Sequence, residues 1–161
     1  MTVDDVIDAL VAFIGLVCPG IPVVRGQQNR VPLPLPPVIV LTEILQVELP
    51  KPWQTYQSDV GVTTIHGNSQ IDAQVDCYGQ TAGEMAQTIR SAFRTVYACD
   101  HMPKGIQPLY PSEAHQLPII TGEEQYETRW TVTLSLQYNP ETVLPQDFAD
   151  VVEVRTVKAQ L

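Results

Sequence analysis

Histidines, cysteines and clustered carboxylates are the residues of this sequence that could do acid–base, metal or nucleophilic chemistry. The histidines are His66, His101 and His115, and none belongs to an HxxxH or HExxH pattern that would place two ligands on one metal ion. No cysteine lies at metal-ligand spacing either. Isolated histidines in turns and loops are therefore the better interpretation, and we expect neither a metal nor another cofactor.

Acidic residues are concentrated in the last third of the chain. Glu123, Glu124 and Glu127 form a cluster, and Asp147 and Asp150 follow it. Two carboxylates can share acid–base work when burial separates their pKa values, but these lie among turn-like residues, which favours a charged surface. The chain also lacks a GxSxG turn, a phosphate-binding glycine loop and a dinucleotide fingerprint. We predict a protein that is not an enzyme, although scattered residues can assemble into a site.

Composition and charge narrow the class of protein. The 161 residues suit one domain, 1–161, with a core of its own, and they are 44% hydrophobic but only 17% charged. Uncharged polar residues, chiefly Gln and Thr, make up for the low share of charged residues. This composition is typical either of a surface that contacts other proteins or of a chance bias. The net charge is −9, and the scattered basic residues form no cluster that would grip phosphates. Specific binding of nucleic acid is therefore not expected.

The cysteines and the first residues predict an intracellular, soluble setting. The cysteines, an odd number without a CxxC pair, are Cys18, Cys77 and Cys99. We expect them to be reduced and mostly buried. Asp4 and Asp5 stand where a signal peptide would carry Lys or Arg, and residues 3–17 are too short and too acidic to span a membrane.

The first quarter of the chain predicts a helix, a strand and a stiff connector. Apolar residues at helical spacing cover residues 2–17, with Thr2 as the N-cap, and residues 21–25 suit a short strand. A polar loop, 26–30, leads to a segment whose fixed φ angles and missing N–H groups favour an extended connector, namely Pro32, Pro34, Pro36 and Pro37. Residues 38–47 form a strand whose apolar start, 38–41, predicts burial on both faces.

The middle of the chain predicts a hairpin next to a loop. Residues 48–59 suggest a loop or a protruding arm, on which Trp53 and Tyr56 either fold back on their own domain or anchor a neighbour. Strands at 60–65 and 69–78, with turn residues between them, predict an antiparallel hairpin. Along 69–78 the apolar and polar residues alternate, which indicates one buried and one open face.

The last half adds one helix and a long strand. A capping box at Thr81 and Glu84 begins a helix that ends near Cys99. Residues 102–116 are irregular, 117–121 form a short strand, and 126–138 alternate over a length of about 40 Å. A last strand covers 151–158. The order predicts an α+β fold, with a mostly antiparallel β-sheet and two helices packed on one side.

Several stretches resemble a family of tailed-phage neck and tail-completion proteins, the tail terminators. They are the acidic first helix, "RGQQNRVPLP" before "PVIVLTEI", "QIDAQVDCYG" before "TAGEMAQTIRSAFR", and "YETRWTVTLSLQYNP". They follow the family's order and cover most of the chain. The most telling are "RGQQNRVPLP" and "ETRWTVTLSLQYN".

The resemblance implies a virion protein that is assembled in the host cytoplasm. Its protomer closes into a ring, usually a homohexamer, that caps the head-proximal end of the tail tube and ends tube growth. The implied partners are the tail tube protein and the head–tail connector, with DNA passing through the lumen without specific binding. No catalytic residue or cofactor accompanies the family. Another head–tail adaptor, a tube component, or a small binding module or enzyme remain the alternatives.

If the protein forms such a ring, two sets of residues are candidates for its contacts and its lumen. Candidates for subunit contacts are Arg25, Gln27, Asn29, Arg30, Trp53 and Tyr56. The polar members of this set could equally fold onto their own domain. Candidates for the lumen, based on the negative net charge, are Asp72, Asp76, Glu123 and Glu124. These acidic residues could equally serve only to keep a free subunit soluble.

Overall fold

The structure, a computed structural model, describes residues 1–27, 32, 34–117, 119–120 and 126–146. The helices in this part are α1 (Val3–Val17), α2 (Ala82–Phe93) and α3 (Val96–His101). The strands are β1 (Val23–Arg25), β2 (Val38–Glu48), β3 (Trp53–Gln57), β4 (Val62–His66), β5 (Ser69–Tyr78), β6 (Ile106–Pro111), β7 (His115–Gln116), β8 (Ile119–Ile120), β9 (Tyr126–Glu127), β10 (Arg129–Tyr138) and β11 (Glu141–Pro145). The predicted α+β class is confirmed.

Six strands form the main sheet, in the order β1-β2-β5-β10-β6, with β7 also paired to β10. All neighbours are antiparallel except β1 and β2. The central pair, β5 and β10, stays in register over its whole length, from Tyr78 opposite Arg129 to Ser69 opposite Tyr138. This uninterrupted ladder places the alternating side chains of both strands on the same two faces.

The core lies between one face of the main sheet and the three helices. Ile71, Ala73, Val75 and Cys77 of β5 are fully buried, as the alternation predicts. The matching residues of β10, together with α1 and α2, complete one apolar cluster. Phe13 of α1 contacts the Phe93 ring edge-on at 6.1 Å. Each such large apolar side chain contributes about 1.5–3 kcal/mol when it is fully buried.

The start of α1 confirms the predicted cap. The Thr2 hydroxyl accepts a hydrogen bond from the Asp5 backbone N–H at 3.3 Å, and the Asp5 carboxylate accepts one from the Thr2 N–H at 2.7 Å. This reciprocal pair satisfies two N–H groups that a helix start leaves free. The Thr2 bonds also lower the pKa of Asp5.

The helical region 81–99 differs from the prediction, because it contains two helices rather than one. Arg94 ends α2, and Thr95 is extended, with φ −109° and ψ 166°. The Thr95 hydroxyl donates to the Ala92 carbonyl at 2.7 Å, which competes with continuation of the helix. The capping box predicted at Thr81 is also wrong, since its side chain makes no cap hydrogen bond.

The predicted hairpin between residues 60–65 and 69–78 is wrong. Strand β4 pairs with β3 and β11 in a separate sheet of three strands, whereas β5 pairs with β2 and β10. The turn-like residues between them stay extended, because Gly67 N–H donates to the Pro140 carbonyl and Leu49 N–H donates to the Asn68 carbonyl. We call this second sheet, with its connecting residues 49–68 and 139–146, the arm.

Other differences concern short strands. The segment predicted as a loop or arm contains β3, the irregular segment 102–116 contains β6 and β7, and β11 was not predicted. The long strand predicted at 126–138 is divided at Thr128, whose carbonyl accepts from Gly79 N–H. The predicted strand 117–121 is represented by β8, which pairs with β9. The predicted strand 151–158 lies outside the described residues.

The buried start of β2 is confirmed. Val38, Ile39, Val40 and Leu41 are at most 6% exposed, and this part of the strand lies between β1 and β5. Pairing with β1 stops at Gly26, whose N–H donates to the Leu41 carbonyl at 2.6 Å. A Cβ atom there would lie 2.3 Å from the Thr42 hydroxyl, so the close approach of the two strands requires glycine.

We therefore expect the backbone N–H groups of residues 38–41 to exchange slowly with solvent. They lie in an internal strand, whereas residues 43–48 of the same strand are exposed. Hydrogen exchange read by mass spectrometry on the protein gives both halves of β2 as an internal comparison. Exchange of 38–41 as fast as that of 43–48 would contradict the buried ladder.

Candidate functional site

The face of the main sheet opposite the helices, here called the open face, carries a buried ion pair. Asp76 is 4% exposed, and one of its oxygens lies 2.7 Å from Arg129 Nη2. Gln74 Nε2 donates to both Asp76 oxygens, at 3.1 and 2.9 Å. The Arg129 guanidinium also lies 5.8 Å from the centre of the Tyr78 ring. Hydrogen bonding to Asp76 raises the pKa of Arg129, so the guanidinium stays charged and balances the carboxylate inside the protomer.

Asp72 lies on the same open face in a more accessible position. Its Oδ1 accepts from the Ser135 hydroxyl at 2.6 Å and from Gln70 Nε2 at 2.9 Å. Gln70 also donates to the Tyr110 hydroxyl of β6 at 3.2 Å. Arg129 pairs with Asp76, whereas no described cation pairs with Asp72, so of the two described acidic residues of β5 on this face Asp72 is the one that leaves a net charge at the surface.

A cavity of about 470 Å³ lies over one end of the open face. Its lining includes two residues of the proline segment, Pro32 and Pro34, together with Val40, Asp76 and Tyr78. The proline segment therefore covers sheet residues, which accounts for the burial of Val40. Because Asp76 is already paired with Arg129, this cavity offers no free acid, base or nucleophile, and its apolar walls suit packing against protein.

Arg25 makes its contacts within its own chain. Its guanidinium lies 2.8 Å from Asp4 Oδ1 and 2.9 Å from Asp8 Oδ1, and it also donates to the Asp4 carbonyl at 2.9 Å. These bonds connect β1 to α1, and the hydrogen bond to Asp4 raises the pKa of Arg25. Gln27 follows with a left-handed backbone, φ 58°. A subunit contact by either residue stays a prediction, and Asn29 and Arg30 lie outside the described residues.

One imidazole connects the three strands of the arm. His66 of β4 stacks on the Trp53 ring of β3, with centroids 3.9 Å apart and planes 13° apart. Its Nδ1 lies 3.1 Å from Glu141 Oε1 of β11, and its Nε2 lies 2.9 Å from the Thr55 hydroxyl. No sequence pattern indicated this cluster, because Trp53, His66 and Glu141 become neighbours only when β4 pairs with both β3 and β11.

The arm and the outer half of β2 expose large apolar side chains. In β3 every residue is exposed, including Trp53 at 57% and Tyr56 at 43%. The other exposed apolar side chains of this region are Ile44, Leu45, Val47, Val60, Val143 and Leu144. Several large apolar side chains exposed in one region are typical of an interaction site. In the sequence, the position of Trp53 and Tyr56 on a predicted loop had indicated this region as a candidate contact site.

The remaining reactive groups do not assemble into a chemical site in the described part of the chain. No group of three or more His, Cys, Asp or Glu side chains there could hold a metal ion. Burial raises the pKa of Cys77 to about 12 and also raises that of Cys18. Two of the three cysteines are therefore buried, as predicted, and Cys99 is exposed. Glu123 and Glu124 lie outside the described residues. Among the described helices, none has the length and apolar character needed to cross a membrane.

The model of a family described as phage neck terminator protein matches residues 4–160, and so includes the helices, the main sheet and the arm. No curated protein matches the chain.

The ion pair on the open face predicts a stability change that can be measured. Replacing Arg129 with Met leaves the Asp76 carboxylate buried without a cation, and we expect the free energy of unfolding to fall by about 2–3 kcal/mol in urea titrations. Changing both residues, Arg129→Met with Asp76→Leu, removes the unpaired charge and is expected to recover part of the loss. Arg94→Met, at an exposed position, is the control and should change stability by less than about 0.5 kcal/mol. Equal effects of Arg129→Met and Arg94→Met would contradict the assignment.

Proposed function

The chain belongs to the phage neck terminator protein family, and from this premise we propose that it forms a closed ring at the head-proximal end of the tail tube. Neck terminators are structural proteins of the virion rather than enzymes. The ring, most simply a homohexamer, binds the last ring of the tube, ends tube growth and offers its other side to the head–tail connector.

The observation that carries this proposal is the arm. A small sheet of three strands needs an apolar face packed on something to be stable, yet β3 and β11 are exposed along their whole length. The exposed Trp53 and Val143 of these two strands supply the apolar area that protein contacts bury. Contacts with other virion subunits would complete the packing that the protomer leaves unfinished.

Ending tube growth also requires edges that do not recruit further strands. Strand β6 lies at one border of the described main sheet, and it contains Pro108 and Pro111, which have no N–H to donate. The proline segment has the same effect where Pro32 and Pro34 cover the open face near β1. Both features support a ring that restricts strand addition to the contacts that build it.

The negative charge of the chain supports a lumen that DNA can traverse. Six copies with a net charge of −9 carry −54 formal charges. Repulsion from phosphates keeps duplex DNA from adhering to a lumen with more acidic than basic residues. Asp72, Glu123 and Glu124 are the residues proposed to line it, whereas Asp76, also a candidate from the sequence, is buried in the protomer at 4% exposure. Of the two described residues, Asp72 is expected to contribute more negative charge, because Arg129 neutralises Asp76.

We expect particles that lack this protein to have overlong tails or tails without heads. Without the terminating ring, tube subunits keep adding, and the connector finds no partner. Electron microscopy of lysates from a deletion mutant, complemented by the wild-type chain as the control, measures both. Tails of normal length that join heads normally would contradict the function, and detached tails of normal length would identify a head–tail adaptor instead.

We also expect the assembled ring to show no tight binding of duplex DNA. Fluorescence anisotropy with labelled duplex at low and physiological salt provides the measurement. Asp72→Lys is expected to add binding that weakens as salt rises, because it places a ring of cations in the lumen. Glu84→Lys, an equal charge change on the helical side, is the matched control and should add less. Tight, salt-sensitive binding by the unmodified ring would rule the acidic lumen out.

A further inference from the structure

Half of β2 borders the main sheet without a further strand beside it, and the chain beyond the arm carries a segment with the alternation of a strand. We propose that residues 151–158 of one copy add as a strand to residues 42–48 of β2 on the next copy, so that this contact repeats around the ring. The proposal rests on the ring inferred above and adds to it the residues of the subunit contact. We call residues 42–48 the β2 edge.

The β2 edge has open backbone positions and exposed side chains. Strand β1 pairs with β2 only as far as Leu41, and beyond it no described strand lies on that side of β2. Every residue from Glu43 to Glu48 is exposed, although β5 pairs with this half of β2 on the other side. An edge of this kind presents a row of backbone donors and acceptors with which a further strand can pair.

The two faces of the β2 edge differ in chemistry. The register with β5 places Leu45 and Val47, which are 49% and 42% exposed, on the open face of the sheet. The same register places Glu43 and Glu48 on the side of the helices. A strand that fits this edge therefore carries apolar residues on one face and a cation on the other.

The sequence of residues 151–158, VVEVRTVK, meets this requirement. It is rich in β-branched residues, which favour strands. Val152 and Val154 share one face of an extended chain, and Glu153 and Arg155 share the other. When the two valines lie on the open face, Arg155 lies on the side of the β2 carboxylates, and opposite charges on neighbouring strands stabilise their pairing. The segment has a net charge of +1, from two cations and one carboxylate, in a chain whose total is −9.

The position of the last described residues favours the β2 edge of a second copy over that of the same copy. Gln146 lies at the tip of the arm, where its N–H donates to the carbonyl of Gly61 in the turn between β3 and β4. Strand β4 and the two residues that join it to β5 separate this tip from the β2 edge, a length of about 23 Å for extended chain. From Gln146 to Val151 the chain spans at most about 18 Å. The whole segment therefore does not reach the β2 edge of its own copy.

Strand donation between copies also suits a closed ring. Head-to-tail contacts require two unlike surfaces on every subunit, which here are a donated strand and an open edge. Main-chain hydrogen bonds supply the affinity of an added strand, and its alternate side chains supply the specificity. Once a neighbour occupies every β2 edge of the ring, this edge no longer recruits further strands.

Cross-linking of the full chain tests which edge the segment occupies. Val47→Cys on the β2 edge and Val154→Cys in the segment are combined with Cys99→Ser, because Cys99 is exposed whereas Cys18 and Cys77 are buried. Treatment of the assembled protein with a short bismaleimide is expected to give a ladder from dimer to full ring on a denaturing gel. Pairing within one copy would give a linked monomer without a ladder, and would overturn the proposal.

The matched control for the cross-link moves one cysteine to the helical side of the protomer. Gln87 is exposed on α2, so Gln87→Cys with Val154→Cys, again with Cys99→Ser, should form no ladder. An equal ladder from this control would mean that the reagent links any exposed pair, and would remove the support for the contact.

A proline substitution gives a second and independent measurement. Val154→Pro removes an N–H from the middle of the segment, and we expect it to raise the subunit concentration needed for ring assembly about tenfold. Gln160→Pro, just beyond the segment, is the matched control and should change this concentration less than about twofold. The melting temperature of the free subunit should be the same for both variants, because a donated strand does not belong to the fold of its own subunit. A lower melting temperature for Val154→Pro alone would indicate pairing within one copy.

The outcomes separate this inference from the proposed function. Light scattering and negative-stain images report whether rings form, either free or on tails. Normal rings without a ladder, and with equal effects of the two proline variants, would overturn the strand donation and leave the ring intact. A cross-link from Val154→Cys to another virion protein in place of the ladder would do the same. A chain that stays monomeric in solution and on particles would overturn the ring itself.

Discussion

The one-sided burial of the main sheet is the constraint on which the rest of this structure depends. Along β5 every second side chain, from Ile71 to Cys77, enters the apolar core, and the residues between them point to the opposite face. Because the β5–β10 ladder is continuous, a shift of register by one residue would expose the whole apolar set. Helices therefore cover one face only, and the polar face is available for contacts that are not part of the core.

That polar face is organised by charge neutralisation rather than by hydrophobic packing. The Asp76–Arg129 pair, with Gln74 as a second donor, lets a carboxylate sit at 4% exposure beside the proline segment. The arrangement is not fully satisfied, since Arg129 Nε and the Thr131 hydroxyl are buried without a hydrogen-bond partner. Such pairs specify geometry more than they add stability, and here the geometry holds β5 and β10 against the cover that Pro32 and Pro34 provide.

The arm extends beyond the part of the sheet that the helices cover. It begins at the edge of the sheet where Glu48 of β2, Ser69 of β5 and Tyr138 of β10 lie side by side. From there the chain continues through extended residues rather than turns. His66 holds its three strands together, but no core of its own supports it. Contacts in the assembly proposed above would supply the packing that the arm lacks in the free subunit.

The sequence by itself determined the elements whose own residues repeat with a period. The face of α1, the alternation of β5 and β10 and the buried start of β2 follow from spacing, since burial of one face imposes that spacing locally. The sequence indicated the candidate interface only in part. Trp53 was identified as an aromatic residue on a predicted loop, whereas no pattern identified Val143. Only the tertiary structure decided that residues 67–68 connect two sheets instead of forming a hairpin, that β11 pairs with β4, and that Arg25 binds α1. The physical reason is that strand pairing joins residues far apart in the chain, and short, exposed strands such as β3 and β11 carry no periodic burial that would reveal their partners.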